Sequence, residues 1–231
     1  LETVTSETLH WVDDDDGRTS LDACYDGTWL RRSEDKGRSW TDEGDKVRFD
    51  TDRTEEQLLP SGMTLDESSD TLVRFLQGQR ADRTCYGYIN QGAYRVFYSI
   101  SKDDGATWSD AVPIIDRREG YDEDRWGPEL DYGTRGAILN GDSCVWLPDG
   151  SLLAPLTGYE RLDGTKPWYF RIVCARGTWN AERTALSWEF GSYFEVGLDK
   201  ATSGCCEPAV TRLGDGRLFM TMRTVTGRVW Y

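Results

Sequence analysis

The sequence predicts an all-β fold made of four-stranded antiparallel sheets, and three observations support this prediction. Aromatic residues make up 12% of the 231 residues, with ten Trp and eleven Tyr, and the chain has 24 Gly. This composition is typical of many short strands joined by tight turns. A turn motif recurs along the chain, and so does a hairpin pattern. The length allows one large β domain or two smaller ones, with a substantial buried core.

The first recurring element is a short turn motif. It occurs as SEDKGRSW at residues 33–40 and as SKDDGATW at residues 101–108, with the shared pattern S-x-D-x-G-x-[ST]-W. Each copy follows a strand-like run, so we predict a hairpin turn in which Ser and Asp oxygens bind turn amides and Gly adopts a positive φ. The Trp then returns to the sheet as a packing anchor. A degenerate third copy is predicted to end at residues 186–189, with the Gly and Asp lost and the Trp kept.

The second recurring element is a pair of short strands joined by a turn of the Asp-Gly type. It occurs at residues 143–156 and 207–223, and in a weaker form at residues 63–76. Turn chemistry and alternation identify each as a β-hairpin. A loop, a third strand and, where the copy is complete, the turn motif and a fourth strand follow. The repeating unit is therefore a four-stranded blade, and a β-propeller made of such blades protects the sheet edges.

Charge and cysteine content narrow the classes of partner and cofactor. The formal net charge of −14 argues against nucleic acid as a partner. His10 is the only histidine and the six cysteines lack zinc-site spacing, so we expect no metal. Most cysteines are expected to be small buried residues, although an even count is compatible with disulfides and secretion. No apolar run is long enough to span a bilayer and no leader precedes Leu1, so an export signal would have to lie upstream.

The turn motifs resemble the Asp-boxes, or BNR repeats, of the sialidase superfamily, whose members are six-bladed β-propellers. The resemblance covers essentially the whole chain and implies one partial propeller domain over residues 1–231, with about three and a half of six blades. The implied blades are residues 1–45, 46–110, 111–195 and, incomplete, 196–231. In the first blade, residues 6–12 are expected to form a second strand that no first strand precedes.

The last hairpin carries a pair of opposite charges. A turn centred on Asp215 places Glu207 directly opposite Arg223, at the open end of an otherwise largely apolar hairpin. In a propeller, this end of the inner strands lies at the mouth of the axial cavity. The alternative is a surface ion pair that closes the hairpin.

The resemblance implies a catalytic role for Glu207 and a substrate-binding role for Arg223. In sialidases, a glutamate at this place polarises the nucleophilic tyrosine, and an arginine late in the next strand belongs to the triad that binds the substrate carboxylate. The anomeric carbon of sialic acid carries that carboxylate, so an activated neutral phenol is a better nucleophile than an anion. Guanidinium groups suit the carboxylate because the pairing is bidentate. No cofactor is needed.

The resemblance also implies a general acid, an aspartate in the loop between the second and third strands of the first blade. We predict that loop at residues 13–27. The candidates are Asp13, Asp14, Asp15 and Asp16, slightly favoured, with Asp22 and Asp26. Burial and neighbouring carboxylates would raise the pKa of such a group. A run of four aspartates is also typical of a solvated loop or an incidental cation site.

The blade scheme places further residues at the cavity mouth. Asn140 and Asp142 precede the inner strand of the third blade, and Tyr159 is predicted to lie across the hairpin from Asn140. Arg135 and Trp126 lie in the preceding loop, where they either bind substrate hydroxyl or N-acyl groups or anchor the loop.

Together these features predict an exo-acting, retaining glycoside hydrolase that releases terminal sialic acid or a related sugar. The alternative is a non-catalytic propeller that binds glycans or proteins. The nucleophilic tyrosine and the other two arginines of the triad are expected outside this segment, and Tyr231 is not that nucleophile. The segment alone is therefore expected to show no hydrolysis. The resemblance implies a glycan substrate and a secreted or periplasmic location, and it leaves the oligomeric state open.

Overall fold

The structure is a computed structural model, and it describes residues 2–13, 19–48, 57–79, 94–131, 135–139, 143–161, 168–224, 226 and 228–231. For residues 2–13, 19–28, 44–48, 79, 161 and 168 only the backbone is described. All regular secondary structure in these ranges is β, and every strand pair is antiparallel. The all-β prediction is therefore confirmed.

The strands form four sheets that follow one another along the chain. The first sheet has the order β1 (Glu2–Asp13), β2 (Thr19–Arg32), β3 (Thr41–Arg48). The second has the order β4 (Gln57–Asp66), β5 (Thr71–Gln79), β6 (Tyr94–Ser101), β7 (Val112–Pro113).

The third and fourth sheets contain the hairpins predicted at residues 143–156 and 207–223. The third has the order β12 (Leu186–Phe190), β11 (Trp168–Trp179), β10 (Leu152–Arg161), β8 (Ala137–Ile138), with β9 (Val145–Trp146) also paired to β10. The fourth pairs β13 (Cys205–Arg212) with β14 (Leu218–Thr224), and Trp230 adds an antiparallel bridge to Met222.

The loop predicted for residues 13–27 is shorter than expected. Residues 19–27 belong to β2, where Asp22 pairs with His10, and Asp13 is the last residue of β1, opposite Thr19. The alternation of Leu21, Ala23 and Tyr25 with polar residues is the period of a strand, and it extends the hairpin through a segment whose Asp and Ser content suggested a loop. Asp26 falls at the register shift that follows Ser6.

Two apolar cores fix the positions of the last three sheets. The larger core lies between the second and third sheets, with Trp188 at its centre, edge-on to Phe75 and Tyr98. The smaller core joins the third and fourth sheets through Ile172, Cys205 and Met222, among others. Each such buried side chain contributes about 1.5–3 kcal/mol of transfer free energy. The fourth sheet is thus held against the third by its own apolar contacts.

The two complete turn motifs fold in the same way. In the first, Ser33 Oγ accepts the Gly37 N–H (2.6 Å), and Asp35 Oδ1 accepts the N–H groups of Arg38 and Ser39 (2.9 and 2.8 Å). In the second, Ser101 Oγ accepts the Gly105 N–H and Asp103 Oδ1 accepts the Thr107 N–H, whereas the Ala106 N–H donates to the backbone oxygen of Asp103. Gly37 and Gly105 have φ of 84° and 83°. Hydrogen bonds from Ser39 lower the pKa of Asp35 to about 2. The predicted turn chemistry is confirmed.

The tryptophans of these motifs pack less deeply than predicted. Trp40 is 38% exposed and Trp108 is half-buried. The guanidinium of Arg31 lies 4.6 Å from the Trp40 ring centroid, and that of Arg74 lies 4.2 Å from the Trp108 centroid. Cation–π contact therefore replaces core burial at both positions.

The third turn corrects the sequence prediction. It centres on Asn180, whose Oδ1 accepts the N–H groups of Thr184 and Ala185 (2.8 and 3.2 Å), so an amide carries out the function of the aspartate. Trp188 lies beyond this turn, inside β12, and is a core residue, 2% exposed. The motif therefore ends at Ala185 and not at the tryptophan.

Four cysteines are described with their side chains, and all four are free. Cys205 is buried, and Cys144, Cys174 and Cys206 are half-buried. Burial raises the pKa of each of Cys174, Cys205 and Cys206. Among these four, Cys205 is buried as predicted, and the other three are buried less deeply than predicted. The Cys24 side chain and Cys85 lie outside the described residues.

Candidate functional site

The candidate site is built on the hairpin of β13 and β14. Its turn is the predicted one: Gly216 has a φ of 88° and its N–H donates to Leu213 O (2.9 Å). Val210 pairs with Met220 and Arg212 with Leu218, which is the register that a turn centred on Asp215 requires. The hairpin prediction holds for this half.

A β-bulge between Cys206 and Ala209 shifts the register in the other half. Cys206, and not Glu207, pairs with Arg223. Pro208 has no N–H to give to the ladder, and Glu207 has a φ of 51°, in the left-handed region. The predicted direct opposition of Glu207 and Arg223 is therefore wrong by one residue.

The two charged side chains nevertheless meet. Arg223 Nη1 donates to Glu207 Oε1 at 2.7 Å, and the side chains are 60% and 47% exposed. An ion pair that is this exposed contributes about 0–1 kcal/mol to stability. Because the pair is weak in water, a ligand carboxylate can compete for the guanidinium at small cost.

Two hydrogen bonds connect the start of β13 to the third sheet. Phe170 N–H donates to Ser203 O (3.0 Å), beside a parallel bridge between Phe170 and Gly204. Further along, Glu207 N–H donates to Thr157 Oγ1 (3.0 Å). Glu207 therefore sits at a fixed place relative to β10 and β11.

A cavity of about 310 Å³ opens beside this ion pair, and its lining is cationic. The lining residues are Glu207, Thr221, Met222, Arg223, Thr224, Arg228 and Val229. The lining contains two arginines and one glutamate, in a chain whose net charge is −14. The neighbouring Cys206 is no nucleophile at neutral pH, because burial and the charge of Glu207 raise its pKa to about 11. The cavity is suited to a small anion.

The other predicted site residues differ in whether the structure describes them and in what they contact. Arg135 Nε donates to Asp131 Oδ2 (2.8 Å), and the two residues also form a backbone bridge, so Arg135 closes its own loop. Trp126 is fully buried against Phe190 and is a core anchor. Asp13 is described by its backbone alone. The remaining candidates lie outside the described residues: Asp14, Asp15, Asp16, Asn140 and Asp142.

The predicted partner of Tyr159 is wrong. Tyr159 N–H donates to Gly136 O (2.8 Å), so Tyr159 lies opposite Gly136 and not opposite Asn140. The cause is a change of register on the first strand of this sheet, since Leu153 pairs with Val145 but Thr157 pairs with Ile138. The Tyr159 ring is buried and lies edge-on to Phe170, with centroids 5.1 Å apart.

Sequence reasoning missed a charged cluster on the face of the third sheet that points to the second sheet. Arg171 is buried between Glu129 (2.8 Å) and Glu160 (2.6 Å), and its guanidinium lies 4.2 Å from the Tyr193 ring centroid. Burial raises the pKa of Tyr193, whose hydroxyl donates to Pro128 O (2.8 Å). Thr157 and Arg228 were missed as well. Most of these contacts join residues that are far apart in the sequence, so no local motif predicts them.

In the described part of the chain, no group of three or more His, Cys, Asp or Glu side chains is arranged to hold a metal ion. Within the same residues, no helix has the length and apolarity needed to span a membrane.

The fold matches solved sialidase structures. No protein-family model matches the chain, and no curated protein does. A Hadza microbial sialidase, Hz136, matches with a TM-score of 0.55 and 16% identity, over 90% of this chain and 36% of that one. Trypanosoma rangeli sialidase matches with a TM-score of 0.54 and 11% identity, over 99% and 40%. Its complex with 2,3-difluorosialic acid, described as a covalent intermediate, gives 0.52 and 12%, over 98% and 40%.

At these identities, the likeness establishes the fold alone. The chain has the sialidase β-propeller fold, and it spans 36–40% of the length of these solved chains. That share is consistent with the partial propeller predicted from the repeats.

Proposed function

We propose that the protein carrying this segment is a retaining exo-glycoside hydrolase that releases terminal sialic acid or a related acidic sugar from glycoconjugates. The fold is the one that sialidases use. Fold alone does not determine activity, so the proposal depends on the site.

The observation that carries the proposal is the cationic cavity beside Glu207 and Arg223. Arg223, Arg228 and Glu207 together give the lining a net positive charge in a chain whose overall charge is −14, and this local charge favours an anionic ligand. Arg223 donates from Nη1 to Glu207, and the planar fork of a guanidinium group matches the geometry of a carboxylate. Sialic acid supplies that carboxylate on the anomeric carbon itself.

In the proposed reaction, a tyrosine phenol attacks the anomeric carbon while Glu207 accepts its proton. An aspartate from the group Asp13 to Asp16 protonates the departing glycosidic oxygen, and the bond between that oxygen and the anomeric carbon breaks. Water then attacks the anomeric carbon and gives its proton to the same aspartate, while Glu207 returns its proton to the departing tyrosine oxygen. Two displacements at the anomeric carbon retain its configuration. We propose Arg223 as the carboxylate ligand and Arg135, Asn140 and Asp142 as further substrate contacts.

The test uses the longest natural chain that contains residues 1–231, with a fluorogenic α-sialoside as substrate. Glu207→Gln is expected to lower kcat by about 10²–10⁴-fold, the usual contribution of proton transfer. Arg223→Ala is expected to raise KM as well, because ground-state binding of the carboxylate is lost.

Arg217→Ala is the matched control, because Arg217 forms an exposed ion pair with Asp215 at the other end of the same hairpin (2.8 Å). It should leave turnover unchanged. Normal turnover by both site variants would refute the proposed roles. Binding of the sialoside without hydrolysis by the wild type would favour the glycan-binding alternative. A secreted or periplasmic location is part of the proposal, and fractionation of the native cells tests it.

A further inference from the structure

We infer that Thr157, on a different sheet from the candidate site, is a positioning residue that fixes the backbone of Glu207 and thereby the meeting of Glu207 with Arg223. The inference deepens the proposed function, since it names a residue that this site depends on. Thr157 does not line the cavity.

The first step is the conformation of Glu207. Its φ of 51° lies in the left-handed region, which residues with a Cβ avoid unless the surroundings impose it. The β-bulge takes Glu207 out of the pairing with β14. The bulge accommodates a left-handed residue but gives the Glu207 amide no partner on β14, so the amide needs an acceptor elsewhere.

The second step is that the Glu207 amide finds this acceptor on the third sheet. Glu207 N–H donates to Thr157 Oγ1 at 3.0 Å, and this bond crosses from the fourth sheet to the third. Thr157 is fully buried, and its backbone pairs with Ile138 on one side and Ile172 on the other. A strand residue flanked by strands on both sides is held firmly, so the hydroxyl is a rigid acceptor.

The third step connects the backbone to the carboxylate. The direction of the Cα–Cβ bond at residue 207 follows from φ, and a return to negative φ would turn the side chain away from its present path. The 2.7 Å contact between Glu207 Oε1 and Arg223 Nη1 depends on that direction. Displacement of a catalytic group by about 1 Å is enough to lower a rate about 10²-fold.

The chain offers a matched pair of variants at this position. Thr157→Val keeps the shape and removes the acceptor, whereas Thr157→Ser keeps the hydroxyl and removes a methyl group. Residue-resolved hydrogen exchange then reports on the Glu207 amide directly, with the Phe170 amide, which donates to Ser203 O, as the internal reference.

We expect faster exchange of the Glu207 amide in Thr157→Val and near-normal exchange in Thr157→Ser, with the Phe170 amide unchanged in both. In sialoside kinetics, Thr157→Val should lower kcat by about 10- to 100-fold with a smaller change in KM, and Thr157→Ser should restore most of the rate. A purely structural role would lower the amount of folded protein without this split between kcat and KM.

Unchanged exchange of the Glu207 amide in Thr157→Val would overturn the inference, as would faster exchange with normal kcat. If the wild type hydrolyses no sialoside, the proposed function fails, and the exchange data with the Glu207–Arg223 distance in a Thr157→Val crystal structure decide the positioning role independently. An intact 2.7 Å contact in that crystal structure would count against it.

Discussion

The carboxylate of Asp66 at the end of β4 accepts a hydrogen bond from the indole N–H of Trp179 at the end of β11, 2.9 Å away, although the two residues lie on different sheets. Arg183 Nη1 reaches the same oxygen at 2.7 Å. Asp66 is 4% exposed, so this buried carboxylate links the β4–β5 turn to the turn centred on Asn180. The second and third sheets are thus fastened at this edge by a charged contact.

Replacement of Asp66 by Asn should destabilise the protein without touching the candidate site. The neutral amide can set an NH2 group against the donors of Trp179 and Arg183, and the Arg183 side chain, which is 39% exposed, loses its counter-charge. We expect the free energy of unfolding to fall by about 1–3 kcal/mol. Urea denaturation measures this change. Asp215→Asn is the control, because its ion pair with Arg217 is exposed, and it should change stability by less than about 1 kcal/mol. Equal effects of the two variants would refute the link.

The same carboxylate should make stability depend on pH. Burial opposes ionisation of Asp66, but hydrogen bonds from Ser68, Ser69 and Trp179 outweigh it and lower its pKa below the ordinary 3.8. A lowered folded-state pKa contributes stability that is complete above the unfolded-state value and is lost as pH falls through the folded-state value. The difference in stability between wild type and Asp66→Asn should therefore shrink below about pH 3.8. A difference that stays constant between pH 6 and about pH 2 would contradict this account.

Local chemistry could be predicted from the sequence to the level of single atoms, and contacts between sheets could not. Asp35 and Asp103 bind the amides that the motif predicts, because their partners lie within four residues. Asn180 was missed because the motif was aligned on Trp188, although Thr184 matches the Ser or Thr of the pattern. The hydrogen bond between Asp66 and Trp179 joins residues 113 positions apart, and no local sequence pattern predicts it.

In the candidate site, too, contacts within a hairpin could be predicted from the sequence and contacts between sheets could not. Turn chemistry at Asp215 was enough to bring Glu207 and Arg223 together, and the bulge beside Pro208 is a signal that the sequence does contain, since proline inside a strand marks a bulge or an edge. The contact of Glu207 with Thr157 exists because the third sheet packs against the fourth. Contacts of this kind depend on packing between sheets, which local sequence motifs do not encode.

Arg228 should contribute to anion binding in the cavity. Its guanidinium adds a second positive charge beside Arg223, and no motif in the sequence points to it. Arg228→Ala is expected to weaken the binding of free sialic acid by about tenfold, the size of one charge-assisted hydrogen bond. Isothermal titration calorimetry measures this, with Arg217→Ala as the control on the same hairpin. A dissociation constant that Arg228→Ala leaves unchanged would remove Arg228 from the site.

The turn centred on Asn180 allows a test of the corrected motif. Asn180 Oδ1 caps two amides, and its Nδ2 donates to Thr184 Oγ1 (2.9 Å). Asn180→Ala removes all of these and should cost about 1–2 kcal/mol, as the loss of a cap does at a helix end. Asn180→Asp should cost much less, because the carboxylate can accept from the Thr184 hydroxyl as Asp103 does from Thr107. Thermal unfolding of both variants distinguishes them, and equal losses would argue against the cap.

Two glycines with similar backbones should respond differently to alanine because their surroundings differ. Gly204 and Gly216 have φ of 75° and 88°, so alanine strains both, at about 1 kcal/mol. A Cβ at position 204 would overlap the carbonyl oxygen of Phe170, whereas nothing lies within 4 Å of one at position 216. Gly204→Ala must therefore push the start of β13 away from β11, and we expect it to destabilise the protein by at least about 1–2 kcal/mol more than Gly216→Ala. It should also speed exchange of the Glu207 amide, which Gly216→Ala leaves unchanged. Equal stability of the two variants would mean that β13 does not depend on its contact with Phe170.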